Sequence, residues 1–575
     1  MSKERKIRTL YELGIVFFLF LVLTFVITFP LGVHLSSYLA PSDDTYANIW
    51  YFWWFKHALV ELGQWPLFTQ FLYFPLGTTL NFETSWIHDL MIFPFIICCG
   101  TITAFNLLIF INFGLTGTGF YLFLKELTKE WWPSFLGAFV FTFSAFRLYK
   151  IQAGHIDLLS TEWVGFYLFF LFRWAQVQKP LYGLLAVIFL SLIAYTEYRI
   201  FIFILLMSWP LFIFFLWARS FPYRLKLTAL FMFVFAVFIS VIPLLILHQK
   251  YLFTVQKINT RDIIEKNLTP DLAQFFSPNF TKIGLPKFYD QKLAHSENEA
   301  VYLGIIPLLL ALIGLCVGRD HQQERALKYL WISITVFFLI ITFGPTPLFL
   351  GTELMPSTLW PYNLFLQVPI LNFLRVPGRF IVVVHIGLAI LAAYGLKYLL
   401  SQRFRRQSTI VVGLCFLLLF SEKLLTPFTF EKPYVPALYE SLAKEDAQYS
   451  ILELPLGFLD GMYKPVGTFD PRVLFRQTVH QKYLLTGYLS LTPPHVWDTA
   501  TSDSTLLKII ACQDNSHCVN FTPEEKSRLI NHFRVRYVVF LPSTSQQRLI
   551  DFFKSNLDHV SLVSQDDTSF IYRLD

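Results

Sequence analysis

Long apolar stretches, separated by short polar ones, run along the first three quarters of the chain. The first, Leu13–Val33, follows Lys3, Arg5, Lys6 and Arg8. No small-residue cleavage site comes after it, so it reads as a retained helix and not as a removed signal peptide. Further spans are predicted at Ala104–Leu124, Trp132–Phe146, Thr161–Phe172, Leu181–Tyr195, Ile200–Trp217, Leu227–Leu247, Val301–Val317, Tyr329–Phe343, Phe380–Leu400 and Thr409–Leu424. That makes about eleven membrane helices. Ile87–Cys99 is apolar but short and broken by Pro94, which suits a re-entrant or interfacial helix. Tyr46–Leu62 reads as an amphipathic interfacial helix.

Charge tests this topology. With Ile87–Cys99 left uncrossed, every second connection is basic: Lys125 and Lys129; Arg173 and Lys179; Arg219, Arg224 and Lys226; Arg319, Arg325 and Lys328; Arg403, Arg405 and Arg406. Short basic loops stay in the cytoplasm. The N-terminus is therefore expected inside and the C-terminus outside.

From Thr426 onward the pattern changes. Strand-like runs at Ser450–Leu454, Val535–Leu541 and Ser569–Leu574 alternate with helical patterns at Thr522–Phe533 and Ser545–Leu557. The chain is thus predicted to be an α-helical polytopic membrane protein over 1–425, with an outer-face loop at 34–100. A small extracytoplasmic α/β domain is expected over 426–575.

Composition agrees, with 55% hydrophobic and 18% aromatic residues and a mean hydropathy of +0.52. The net charge of +7 is small for a chain of 575 residues and reflects basic cytoplasmic loops, not nucleic-acid binding. Of six Cys, only Cys512 and Cys518 fall in a polar region, and a local disulfide is expected there. The chain lacks a phosphate-binding Gly-rich loop, a His-Glu-x-x-His zinc site and a nucleophile-elbow Ser. Use of a nucleotide sugar in the cytoplasm is therefore disfavoured.

Candidate chemistry collects at the predicted outer face. Pro41-Ser42-Asp43-Asp44-Thr45-Tyr46 places two carboxylates beside the aromatic run Trp50-Tyr51-Phe52-Trp53-Trp54 in a chain with only 15% charged residues. Carboxylates near a bilayer are costly to keep ionised and are function-bearing by default. The plainer alternative is a helix cap, since Ser-Asp-Asp caps well. The aromatics by themselves suit an interfacial belt. Lys150, Gly154-His155-Ile156-Asp157, the bend Glu197-Tyr198-Arg199, and Arg375 and Arg379 complete the set. Each has a structural counterpart: His155 as a helix cap, Glu197 with Arg199 as a pair at a bend, Arg375 and Arg379 as interface anchors. His88-Asp89 reads as an N-terminal charge preference of its helix.

In its first loop, in Phe146-Arg147 followed by Gly154–Leu159, and in Leu374-Arg375-Val376-Pro377-Gly378-Arg379-Phe380, the chain resembles the GT-C superfamily of membrane glycosyltransferases. The resemblance covers most of Met1–Leu425. It implies transfer of a sugar from a polyprenyl-phosphate donor to a glycan, lipid or protein acceptor on the extracytoplasmic face of a bacterial inner membrane. Asp44, or Asp43, would be the catalytic base. Arg375, Arg379 and Arg199 would hold the lipid phosphate, with Glu197, His155, Asp157 and Lys150 around them. Asp43 and Asp44 are also the candidates for a divalent cation, Mg or Mn, although two neighbours supply too few oxygen ligands alone. The alternatives are a transporter or flippase of a lipid-linked substrate, which wants ionisable residues in mid-span, and a non-catalytic envelope-assembly protein.

Overall fold

The computed structural model describes residues 3–80, 85–218, 231–241 (except 232 and 236), 269–276, 301–316, 322–355, 360–367, 374–424 (except 375 and 404) and 428–574 (except 462, 515–517, 543–545 and 558). The chain divides into two compact units. One comprises Met1–His34, Ser85–His88 and Asn106–Thr429; the other comprises Leu35–Thr84, Asp89–Phe105 and Phe430–Asp575.

The first unit is helical, and among the described residues five helical stretches are long and apolar enough to cross a membrane. They are Ile7–Ile27, Thr101–Thr128, Tyr198–Trp217, Glu324–Thr342 and Pro377–Ser401. Such helices make this an integral membrane protein. Trp86–Cys99, Val164–Val177, Pro180–Thr196 and Ile305–Cys316 are shorter. The helix Ile381–Tyr398 is the hub, because 94% of the apolar window that holds it is buried, against 22% for Ile7–Ile27. It packs on Ile305–Cys316, Trp131–Thr142 and Gln322–Thr342. Its crossing with Ile305–Cys316 depends on two glycines. A Cβ on Gly314 would lie 2.0 Å from the Leu391 carbonyl, and one on Gly395 2.0 Å from the Leu310 carbonyl. Small residues at a crossing let backbones touch, which is how membrane helices gain packing without a hydrophobic drive.

One predicted span is corrected. Trp132–Phe146 is not continuous: a helix of 12 residues, Trp131–Thr142, ends at Phe143, and Ala145–Gln152 restarts after an extended Ser144. At the other predicted bend, extended Glu197 separates Pro180–Thr196 from Tyr198–Ala218 with no intervening loop, as expected. Leu227–Leu247 falls mostly outside the described residues.

The second unit is built on a four-stranded mixed sheet. Its strands are β1 (Ser450–Leu454), β2 (Val535–Phe540), β3 (Val560–Gln565) and β4 (Phe570–Leu574), in the order β3-β4-β2-β1. β1 and β2 run parallel; the other pairs are antiparallel. Alternation places Ile451, Tyr537, Val539 and Ile571 in one core and Leu452, Leu454, Val538, Phe540 and Tyr572 in another, so both faces are covered.

The larger core also takes in Trp50, Trp53, Trp54, Phe71 and Tyr73 from the early loop. This corrects the reading of the aromatic run as an interfacial belt on an amphipathic helix. The helix Asp43–Lys56 is buried nearly all round, with Trp50 at 0% and Trp54 at 1% exposure. A helix apolar on every face belongs in a core. Cys512 and Cys518 form the expected disulfide.

Candidate functional site

The carboxylate pair opens the helix Asp43–Lys56. Capping falls to Ser42, whose Oγ accepts from the Thr45 N–H at 3.2 Å. Asp43 and Asp44 therefore occupy the first turn, where the helix N-terminus favours negative charge, without serving as the cap. Asp44 Oδ1 accepts the Tyr488 hydroxyl at 3.1 Å. Asp43 keeps an exposed face, yet the protein packed around it desolvates it. Desolvation, then the like charges of Asp44 and Asp470, raises its carboxyl above the usual range against the pull of Arg472.

The helix is held in place by the C-terminal part of the same unit. Trp50 Nε1 donates to Gln477 Oε1 at 2.6 Å, while Gln477 Nε2 donates to the carbonyls of Phe71 (2.6 Å) and Lys482 (2.8 Å). The Tyr46 hydroxyl donates to Glu431 at 2.7 Å, and Arg472 reaches the same carboxylate at 3.2 Å. Asp470 is fixed by Arg476, which donates to it at 2.9 Å and to buried Glu453 at 2.6 Å. Among the described residues no group of three or more His, Cys, Asp or Glu side chains is placed to hold a metal ion. Asp43 and Asp44 offer two carboxylates, and the third nearby, Asp470, is committed to Arg476.

The remaining candidates that are described lie in the helical unit. At the bend, Arg199 is ringed by acids. Its Nε donates to Glu197 Oε1 at 2.5 Å, its terminal nitrogen to Glu197 Oε2 at 3.0 Å, and the same nitrogen contacts Asp157 Oδ2. Burial pushes the Asp157 carboxyl up, but the charges of Arg199, His155 and Arg379 outweigh it and hold it below the usual range. Lys150 Nζ meets His155 Nδ1 at 2.9 Å, and the His155 N–H donates to the Lys150 carbonyl at 3.0 Å. Arg379 sits in the tight turn Pro377–Phe380. Arg375 lies outside the described residues.

A second polar cluster in this unit joins residues that the sequence reading did not connect. Arg147 donates to the Leu159 carbonyl at 2.7 Å and to Asn112 Oδ1 at 2.7 Å, and also contacts Thr161 Oγ1. Asn112 Nδ2 donates to Glu162 at 2.6 Å, and His88 Nε2 lies 2.9 Å from the same carboxylate. All four side chains are at most 1% exposed. His88 thus serves this network, while Asp89 beside it stands in the first turn of the helix Trp86–Cys99. Arg147 stands inside the Phe146-Arg147 motif, so a signal for it was present. Glu162, Asn112, Asp470, Arg472 and Tyr488 gave none.

Known structures offer likeness of low degree. The chain is similar to the oligosaccharyltransferase of Archaeoglobus fulgidus in its apo form, with 11% identity, a TM-score of 0.48, and coverage of 92% of this chain and 70% of that one. It is similar to AglB from Archaeoglobus fulgidus in complex with an inhibitory peptide and a dolichol-phosphate, with 12% identity, TM-score 0.44, and 94% and 70% coverage. It is also similar to ArnT from Cupriavidus metallidurans bound to undecaprenyl phosphate, with 13% identity, TM-score 0.45, and 96% and 97% coverage. Likeness at this level assigns no activity. No curated protein matches the chain. Residues 14–420 match a family described as "Domain of unknown function (DUF6311)", and the chain belongs to that family.

Proposed function

We propose that this protein transfers a sugar from a polyprenyl-phosphate donor to a glycan, lipid or protein acceptor on the extracytoplasmic face. The observation that carries this reading is the state of the acidic pair. Ser42 does the capping, leaving two adjacent carboxylates, Asp43 partly desolvated and Asp44 aimed by a hydroxyl. Asp44 acts as the general base. As the acceptor oxygen bonds to the sugar's anomeric carbon, Asp44 takes the acceptor's proton and the bond from that carbon to the phosphate breaks. The phosphate leaves with the bonding electrons and needs cations. Arg379 and Arg375 suit that task, because a guanidinium contacts phosphate through two N–H groups at once. Arg199, already paired with Glu197 and Asp157, fixes the local geometry, with His155 and Lys150 beside it.

The test reads a product common to every such donor. Purified protein in nanodiscs is given a panel of undecaprenyl-phosphate-linked hexoses and pentoses, with membranes of the producing cell as the acceptor source. Mass spectrometry should find protein-dependent release of undecaprenyl phosphate with at least one donor. No release with any donor removes the enzyme reading.

A further inference from the structure

Tyr488 lies in a short strand, Tyr488–Leu489, that pairs in parallel with Gly457–Asp460. Its phenol reaches a residue 444 positions earlier, donating to Asp44 Oδ1 at 3.1 Å. Its backbone carbonyl accepts the Tyr51 hydroxyl at 3.1 Å. Asp44 and Tyr51 are seven residues apart, two helical turns on one face. Tyr488 is thus tied along that face of the helix at two points. Its ring also packs against Phe469, with centroids 6.2 Å apart, which restricts its rotation.

We propose that Tyr488 is a positioning residue for the acidic pair, fixing the Asp44 carboxylate in the orientation that meets the acceptor. The inference rests on the reading of Asp44 as base. The charged and titratable groups around the pair are the two carboxylates themselves, Asp470, Arg472 and the Tyr488 phenol, with Glu431 and Tyr46 joined to Arg472. Tyr488→Phe removes the hydroxyl that donates to Asp44 Oδ1 and keeps the ring.

Carbodiimides modify the protonated carboxyl, so labelling reports orientation and charge without turnover. Full-length wild type and Tyr488→Phe are labelled between about pH 4 and 8 and read by fragment-resolved mass spectrometry. A hydrogen bond to the ionised form favours that form. Tyr488→Phe should therefore raise the midpoint of Asp44 labelling by about one pH unit, the scale of one such bond. It should also lower kcat for undecaprenyl phosphate release about tenfold while leaving donor KM unchanged. Identical midpoints overturn the proposal. A raised midpoint with unchanged kcat also overturns it, while leaving the enzyme reading in place. A raised midpoint with no release even by wild type removes the enzyme reading and the positioning role with it. Wild type supplies a second check independent of how the variant folds: Asp44 should label with a lower midpoint than Asp43, and the reverse order contradicts the assignment.

Discussion

Asp157 is held ionised by Arg199, His155 and Arg379, and this fixes how it contributes to stability. Its folded-state pKa lies below the unfolded value, near 4 for Asp. The contribution is then complete above that value and is lost as pH falls from it toward the folded pKa. Asp157→Asn should destabilise the protein by a constant amount between about pH 5 and 8, with the difference from wild type shrinking below about pH 4. Thermal unfolding across that range checks it, and a difference that grows toward acid contradicts it. The buried network gives a stronger expectation. Arg147→Met keeps the volume but leaves the Leu159 carbonyl and Asn112 Oδ1 without their buried donor and removes the positive charge that acts on Glu162, at a cost of about 1–3 kcal/mol for each group left unsatisfied. A double variant Arg147→Met/Glu162→Gln should recover part of the loss. If Arg147→Met unfolds at the wild-type temperature, the network does not hold the bundle together. At this scale the sequence was legible where charge is scarce: Asp43, Asp44, Asp157, Glu197 and Arg199 stand out against apolar surroundings. Tyr488 and Asp470 do not, because a hydrogen bond across hundreds of residues leaves no local pattern.

Helices and strands were legible to the degree that their burial follows one period. Ser450–Leu454 coincides with β1, since a short apolar run bounded by polar residues is what a buried strand requires. Val560–Gln565 escaped notice because it forms an edge of the sheet, largely exposed, with Ser and Gln among its apolar residues. Trp132–Phe146 misled in the opposite way: hydropathy runs through a break that only the backbone at Phe143 and Ser144 reveals. The aromatic run misled because Trp and Tyr suit both a membrane interface and a protein core, and composition cannot separate the two. One crossing tests the packing directly. Gly395→Ala would drive a methyl into the Leu310 carbonyl. Overpacking of this kind costs about 1–3 kcal/mol or more. The expected result is a lower unfolding temperature in detergent, and Gly413→Ala, with nothing within 4 Å, serves as the neutral control. Equal effects from the two would show that the close crossing is absent.

For the whole molecule, the composition of the second unit bears on topology. Leu35–Thr84 and Phe430–Asp575 share one compact body and one hydrophobic core, so they must lie on the same side of any membrane. The alternation of basic loops independently predicts the same sidedness and calls that side extracytoplasmic. Alkaline phosphatase, active only outside the cytoplasm, should be active when fused at Asp575, and green fluorescent protein at that point should stay dark. The opposite pattern would invert the scheme and put Asp44 in the cytoplasm.

The central claim is that the acidic pair performs proton transfer during release of a lipid phosphate. Asn keeps the shape of Asp and most of its hydrogen bonding but cannot take the proton at neutral pH. Loss of a general base lowers rates by about 10²–10⁴-fold. The decisive measurement is undecaprenyl phosphate release by wild type, Asp43→Asn and Asp44→Asn, each confirmed as folded by its unfolding temperature. Asp44→Asn should fall by that factor and Asp43→Asn by less. Release at the wild-type rate by both variants would contradict it.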